Sequence, residues 1–171
     1  MALRTNHYDV AFEDYLRRSR VPYVSVDETK RALLQDASLK SMDFIVYSHK
    51  TRNLLVDVKG RRFPSGNGGG GGGHRWENWA TQDDIDCLLK WQQVFGTDFR
   101  ALLVFAYHVL EPDRHQDLAP CHLIRDRTYA FFGVWADEYG DAMRRRSPRW
   151  ETVWLPAEPF QQLRAPISKF L

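Results

Sequence analysis

Asp57-Val58-Lys59 closes the apolar run Leu54-Leu55-Val56. A run of that composition reads as a strand covered on both faces, where an isolated charge is expensive. Alternation along a strand puts Asp57 and Lys59 on the same face, aimed at the same neighbour. A carboxylate that holds a metal, beside an amine that positions water or a phosphate, would account for both charges. The competing account is a half-buried ion pair with no further role. Two more acids fall where they could join this pair. Asp43 precedes Phe44-Ile45-Val46, and Glu13 lies in an amphipathic stretch near the start of the chain.

The elements that must bring these residues together follow from periodicity. Tyr8, Phe12, Tyr15 and Leu16 recur at helical spacing and predict a helix over residues 6–18, with Thr5 or Asn6 as its cap. Glu13 sits on the shoulder of that stripe, and Asp9 one turn earlier on nearly the same line. Val21 to Asp27 alternates and reads as a first strand; Lys30 to Asp36 reads as a short helical turn. Met42 to Tyr47 predicts a second strand, His49 to Arg52 a polar turn, and Asn53 to Lys59 a third strand. In an antiparallel hairpin the start of one strand lies beside the end of the next, so Asp43 meets Asp57 and Lys59. Thr81 caps a helix over Gln82 to Phe95, with Asp83 and Asp84 favouring its positive end and Gly96 stopping it. Phe99 to Tyr107 is a further buried strand. Strands at Cys121 to Ile124 and Tyr129 to Val134, a helix at Ala136 to Arg145 and a short strand at Thr152 to Leu155 complete an α/β sandwich with a mixed sheet.

Composition bounds the rest. A length of 171 residues suits one domain over 1–171 with its own core. The net charge of +2 is too small to imply a nucleic-acid partner by itself. Its distribution is more pointed: Arg17, Arg18 and Arg20 form one cluster, Lys59, Arg61 and Arg62 a second, and Arg144, Arg145, Arg146 and Arg149 a third. Each is also what a solvated face looks like. Gly68 to Gly73 lacks the lysine and serine or threonine of a phosphate loop, so residues 65–73 read as a flexible surface loop between Arg61-Arg62 and His74-Arg75-Trp76. Trp76, Trp79 and Trp91 read as core residues before base-stacking ones. Cys87 and Cys121 lack metal or dithiol spacing, the histidines are scattered, and no Gly-x-Ser-x-Gly is present, which argues against zinc and nucleophilic hydrolase sites. No apolar stretch approaches 18 residues and no signal-peptide core opens the chain, which predicts a cytoplasmic protein without a membrane partner.

Glu13, Asp43 and Asp57-Val58-Lys59, on those elements and in that order, resemble the PD-(D/E)XK nuclease superfamily, whose restriction-endonuclease-like core runs α-β-β-β-α-β. The likeness spans residues 6–107, and the segment 108–171 reads as a C-terminal strand and helix extension. Within the superfamily the layout is most similar to the archaeal-type Holliday-junction resolvases. His7-Tyr8-x-x-Ala11-Phe12 also resembles a little-characterised group of bacterial proteins, which adds no activity. Asp43 follows Ser41-Met42 where the family has proline. The resemblance implies a nuclease hydrolysing phosphodiester bonds in DNA, including branched or repair intermediates. Mg²⁺ or Mn²⁺ would be held by Asp43, Asp57, the Val58 carbonyl and Glu13, and Lys59 would orient water or phosphate. It further implies DNA contacts from Arg17, Arg61, Arg62 and Arg75, a polar second-helix residue near the site (Gln92), and a homodimer suited to junctions. Two other readings stand beside it. One is a non-catalytic module that keeps the fold to bind nucleic acid or protein. The other is an interaction domain in which Asp57 and Lys59 only neutralise each other.

Overall fold

Asn6 accepts the Tyr8 N–H at 3.1 Å and so caps the first helix. Behind that cap, Ala11, Phe12, Tyr15 and Leu16 form one buried stripe. The computed structural model describes residues 6–27, 32–34, 37–65, 76–115, 118 and 120–171. In chain order the elements are α1 (His7–Arg18), β1 (Tyr23–Ser25), β2 (Ala32–Leu34), β3 (Ala37–Leu39), β4 (Phe44–Val46) and β5 (Asn53–Phe63). Next come β6 (Ala80–Thr81), α2 (Gln82–Phe95), β7 (Phe99–Val109), β8 (Cys121–Ile124) and β9 (Arg127–Trp135). Then follow α3 (Ala136–Ala142), β10 (Arg144–Ser147), β11 (Thr152–Trp154), α4 (Ala157–Leu163) and β12 (Ala165–Pro166).

The main sheet runs β1-β4-β5-β7-β9-β12, with β8 also on β9. β5 and β7 pair parallel along their whole length, from Asn53↔Phe99 to Phe63↔Val109, and the other pairs are antiparallel. A parallel pair needs a crossover, and α2 supplies it. The two strands are buried on both faces, which their unbroken apolar runs require. Leu54, Val56, Val58, Leu102, Val104 and Ala106 face α1. Leu55, Leu103, Phe105 and Tyr107 face Ile85 and Leu88 of α2, Tyr139 of α3 and Phe160 of α4. The α1-β1-β4-β5-α2-β7 order is the expected core. The predicted extension continues the same sheet through β8, β9 and β12, and its β10–β11 hairpin pairs with β6 in a second, three-stranded sheet.

Two local expectations change. Within Lys30 to Asp36, where the spacing predicts a helical turn, residues 32–34 are extended and pair antiparallel with 37–39. One turn of helix gains few hydrogen bonds for the dihedrals it fixes, so a paired hairpin wins. The predicted helix Ala136 to Arg145 stops at Ala142, and Arg144–Ser147 becomes β10, paired with β11. The glycine run and Arg75 lie outside the described residues.

One close approach fixes how α1 meets the sheet. A Cβ at Gly60 would overlap the Tyr8 ring, so the first turn of α1 rests directly on β5 at the residue after Lys59. Gly60→Ala must therefore push Tyr8 out of its seat. We expect a loss of about 1–3 kcal/mol in urea unfolding, the usual cost of overpacking, and retained stability would mean that α1 is not anchored there.

Candidate active site

The hairpin of β4 and β5 forks where the sequence places its charges. Ladder pairing ends at Phe44↔Val56. One residue beyond, the Asp43 N–H still donates to the Val56 carbonyl at 2.9 Å, while the Asp43 carboxylate accepts the Val58 N–H at 2.6 Å. A side chain thus takes a backbone donor at the fork, which stabilises a carboxylate that is 6% exposed. A strand residue turns its N–H and C=O to the same edge, so the Val58 carbonyl also faces the fork. The resulting cleft, about 210 Å³, is lined by Asn6, Asp9, Asp43, Asp57, Val58 and Lys59, with Lys40 and Ser41. Asp43, Asp57, Val58 and Lys59 are therefore brought together.

Glu13 is not among the residues lining that cleft. Its carboxylate accepts from Arg17 at 2.8 Å and from the Tyr23 hydroxyl at 2.9 Å. The first turn of α1 is the part that reaches the fork, and one helical turn carries Glu13 about 5–6 Å farther along the axis. Asp9, one turn earlier and 4% exposed, holds the place on the cleft wall. Arg17 is thereby committed to Glu13 and Tyr23. Arg61 is committed as well, donating to the Gly60 and Trp79 carbonyls and lying 4.0 Å over the Trp79 ring. Arg62 is exposed. Gln92, near the far end of α2, accepts the Ala101 N–H at 2.7 Å and so secures the start of β7. Trp76 and Trp91 pack against the core, as expected of them.

The residue on α2 that reaches the site is Asp84. It is the third residue of a capping box: the Thr81 hydroxyl accepts the Asp84 N–H at 3.1 Å and Asp84 Oδ2 accepts the Thr81 N–H at 3.0 Å. The same Oδ2 lies 2.9 Å from Lys59 Nζ, and the other oxygen is paired with Lys40. Lys59 also meets Asp57 at 2.7 Å. The ammonium is therefore held between a carboxylate of its own strand and one delivered by the opposite helix. Thr81 and Asp84 carry the sequence signature of a cap; nothing in that signature tells that the carboxylate also bonds a lysine on β5.

The electrostatics follow from this geometry. Burial alone would drive a proton off Lys59, but Asp57 and Asp84 outweigh it and hold the amine above its ordinary value. Burial pushes Asp84 up, yet Lys59, Lys40 and the Thr81 N–H together hold its carboxyl well below the usual carboxylate range. The Lys59 contribution is thus fully present below pH 10.5 and lost as pH rises beyond it; that of Asp84 is present above pH 3.8 and lost on acidification. We expect Asp84→Asn to cost less than the about 3–5 kcal/mol of a wholly broken buried pair, because Lys59 keeps Asp57. The variant's stability should also fall less steeply than the parent's below pH 4. Parallel acid limbs in denaturant titrations would show that Asp84 is not the group responsible.

The carboxylates and the carbonyl around the fork are hard oxygen groups, the donor chemistry of a small divalent cation held partly through water, and the Lys59 ammonium stands beside them as a charge. Among the described residues no three His, Cys, Asp or Glu side chains stand close enough together to form a ready ligand cluster. No helix among the described residues is long and apolar enough to cross a membrane.

No protein-family profile matches the chain, and no curated protein sequence does. Among solved structures it is similar to Hjc, a Holliday junction resolvase from the archaeal hyperthermophile Archaeoglobus fulgidus, with a TM-score of 0.55 at 11% identity. The superposition covers 95% of this chain and 96% of that one, and so takes in the strands after His108. At that identity the likeness is one of fold: the chain has the restriction-endonuclease-like architecture.

Proposed function

We propose that this protein is a divalent-metal-dependent nuclease that hydrolyses phosphodiester bonds in DNA, with branched or repair intermediates as its substrates. The observation that carries the reading is the cleft at the β4–β5 fork, where Asp9, Asp43, Asp57, the Val58 carbonyl and Lys59 face one space on a fold shared with a junction resolvase. Asp43, Asp57 and the Val58 carbonyl are the groups that would hold Mg²⁺ or Mn²⁺, with Asp9 rather than Glu13 as the helix acid. When bound, such an ion lowers the pKa of water and offsets charge developing on a phosphate.

The chain's own residues do the positioning. Asp43 is oriented by the Val58 N–H, which ties its carboxylate to the strand that carries Asp57 and Lys59. Lys59 remains a cation throughout the neutral range, so its role is to orient water or steady a phosphate oxygen rather than to take a proton. Asp84 keeps the ammonium in place when Asp57 turns to another partner, which makes it a positioning residue. Arg62 and the part of the basic surface that has no internal partner would supply sequence-independent phosphate contacts, with binding that weakens steeply as salt rises.

A second reading has its own support. In the structure Asp57 and Asp84 are both neutralised by lysines, which also suits a module that binds nucleic acid without cutting it. The two differ in a direct assay. Cleavage of branched, single-stranded or duplex DNA should need Mg²⁺ or Mn²⁺ and stop with EDTA. Asp57→Ala should lower it by at least about 10²–10³-fold, as loss of a transition-state electrostatic group does, while circular dichroism stays that of the parent. Undiminished cutting by the variant ends the mechanism; salt-sensitive binding with no cutting of any substrate selects the module.

A further inference from the structure

The third arginine cluster has no part in the site, and the structure gives it a shape. Arg144, Arg145 and Arg146 lie on β10, and Arg149 and Trp150 lie in the turn leading to β11. All five are exposed, Trp150 at 69% more so than any other large apolar side chain described. Among the described residues none of the four arginines forms an ion pair. The hairpin is nonetheless held firmly at its base. β11 pairs with β6 through Thr152↔Thr81 and Val153↔Ala80, and the Gln82 N–H donates to the Glu151 carbonyl at 2.8 Å. Its anchor is thus the first turn of α2, which carries Asp84 to Lys59.

The flanks of the hairpin differ. Arg145 faces a cavity of about 410 Å³ shared with Asp83, Asp86 and Glu151, acids that would repel a phosphate. Arg146 is the extra residue of a bulge between Arg145 and Ser147, and its guanidinium lies 5.3 Å from the Trp79 ring centre. A bulge re-aims a side chain in this way. Trp79 also carries Arg61, which is two residues beyond Lys59 and on the same face of β5. At the turn, the Arg149 guanidinium lies 5.4 Å over Trp150. Trp79 thus carries one arginine from β5, Arg61, and one from the bulge, Arg146, and Arg149 and Trp150 follow three and four residues later along the hairpin.

An exposed indole beside uncompensated guanidinium groups matches one ligand chemistry, a flexible phosphodiester strand whose bases are unstacked. The arginines meet phosphates, and the indole offers a face to a base of any sequence. Duplex DNA offers the phosphates but keeps its bases stacked against each other. We propose that the β10–β11 hairpin binds single-stranded DNA, with Trp150 stacking on a base and Arg146 and Arg149 on the backbone, and guides that strand toward the β4–β5 cleft. The guidance rests on the nuclease reading; the binding does not.

Fluorescence anisotropy with a labelled oligothymidylate of about 20 nucleotides, in EDTA, tests the binding apart from any cutting. Trp150→Ala should weaken binding about tenfold without altering its salt dependence, because stacking releases no counterions. Arg146→Ala/Arg149→Ala should weaken it and reduce the slope of log affinity against log salt by roughly 1.4, about 0.7 for each lost contact. Melting temperatures should match the parent, since all three side chains are exposed. Binding by Trp150→Ala within twofold of the parent overturns the proposal, as does an equal loss for a blunt duplex of the same length. If Asp57→Ala still cuts while Trp150→Ala fails to bind, the cleft assignment falls and the hairpin assignment stands.

Discussion

A lysine ammonium on a strand covered on both faces cannot stand without compensation, and the site of this protein is built around meeting that need. Lys59 has β7 on one edge, where it lies opposite Phe105, and the fork left by the end of the β4 ladder on the other. The apolar character that makes β5 central removes the water that would otherwise solvate its charge. Asp57 alone, on the same strand, would leave half of the ammonium facing a hydrophobic layer. Asp84 completes the arrangement from α2, and Lys40 balances the second oxygen of Asp84. Four charges of alternating sign, Asp57, Lys59, Asp84 and Lys40, form a chain in which Lys59 and Asp84 are little exposed and Lys40 is half exposed.

That chain links local and global structure. The capping box that starts α2 is a local device, worth something to any helix. Here its acid also fixes the register of α2 against β5, because a carboxylate held by the Thr81 N–H can reach Lys59 only if the helix begins where it does. On the other face, α1 is set against the same stretch of β5 by the seat of Tyr8 on Gly60. Two helices from opposite layers thus meet β5 at the same point. The fork between β4 and β5 leaves the gap into which Asp9, Asp43 and Asp57 look.

The tryptophans divide by what covers them. Trp76 is ringed by Phe63, Tyr107 and Phe132, and Arg164 stacks on it at 3.8 Å. Trp91 ties its indole N–H to the Lys40 carbonyl at 2.9 Å and so helps hold that loop over Asp84. Among the described residues Trp150 has neither an aromatic ring partner nor a hydrogen bond of this kind, and its exposure marks the hairpin as a surface of another sort. The small net charge of the chain hides this: acids and bases cancel in the total, while Arg146, Arg149 and Trp150 stand exposed on one hairpin.

Periodicity and charge placement in the amino-acid sequence were enough for α1, α2, the β4–β5 hairpin, the buried β5 and β7, and the meeting of Asp43 with Asp57 and Lys59. Each of these depends on contacts close along the chain or on a two-residue alternation, which sequence spacing encodes. The helix acid at the cleft was not legible to that degree. Asp9 and Glu13 share one face of α1, and only the angle and depth at which the helix crosses the sheet select between them. The same holds for Asp84, whose cap signature is local while its lysine partner lies 25 residues earlier on another element. It holds for Arg144 and Arg145 of β10, whose spacing reads as a helix end and which pairing with β11 draws into a strand. Long-range packing made those choices, because the energy that decides them arises only when distant segments exclude water from one another.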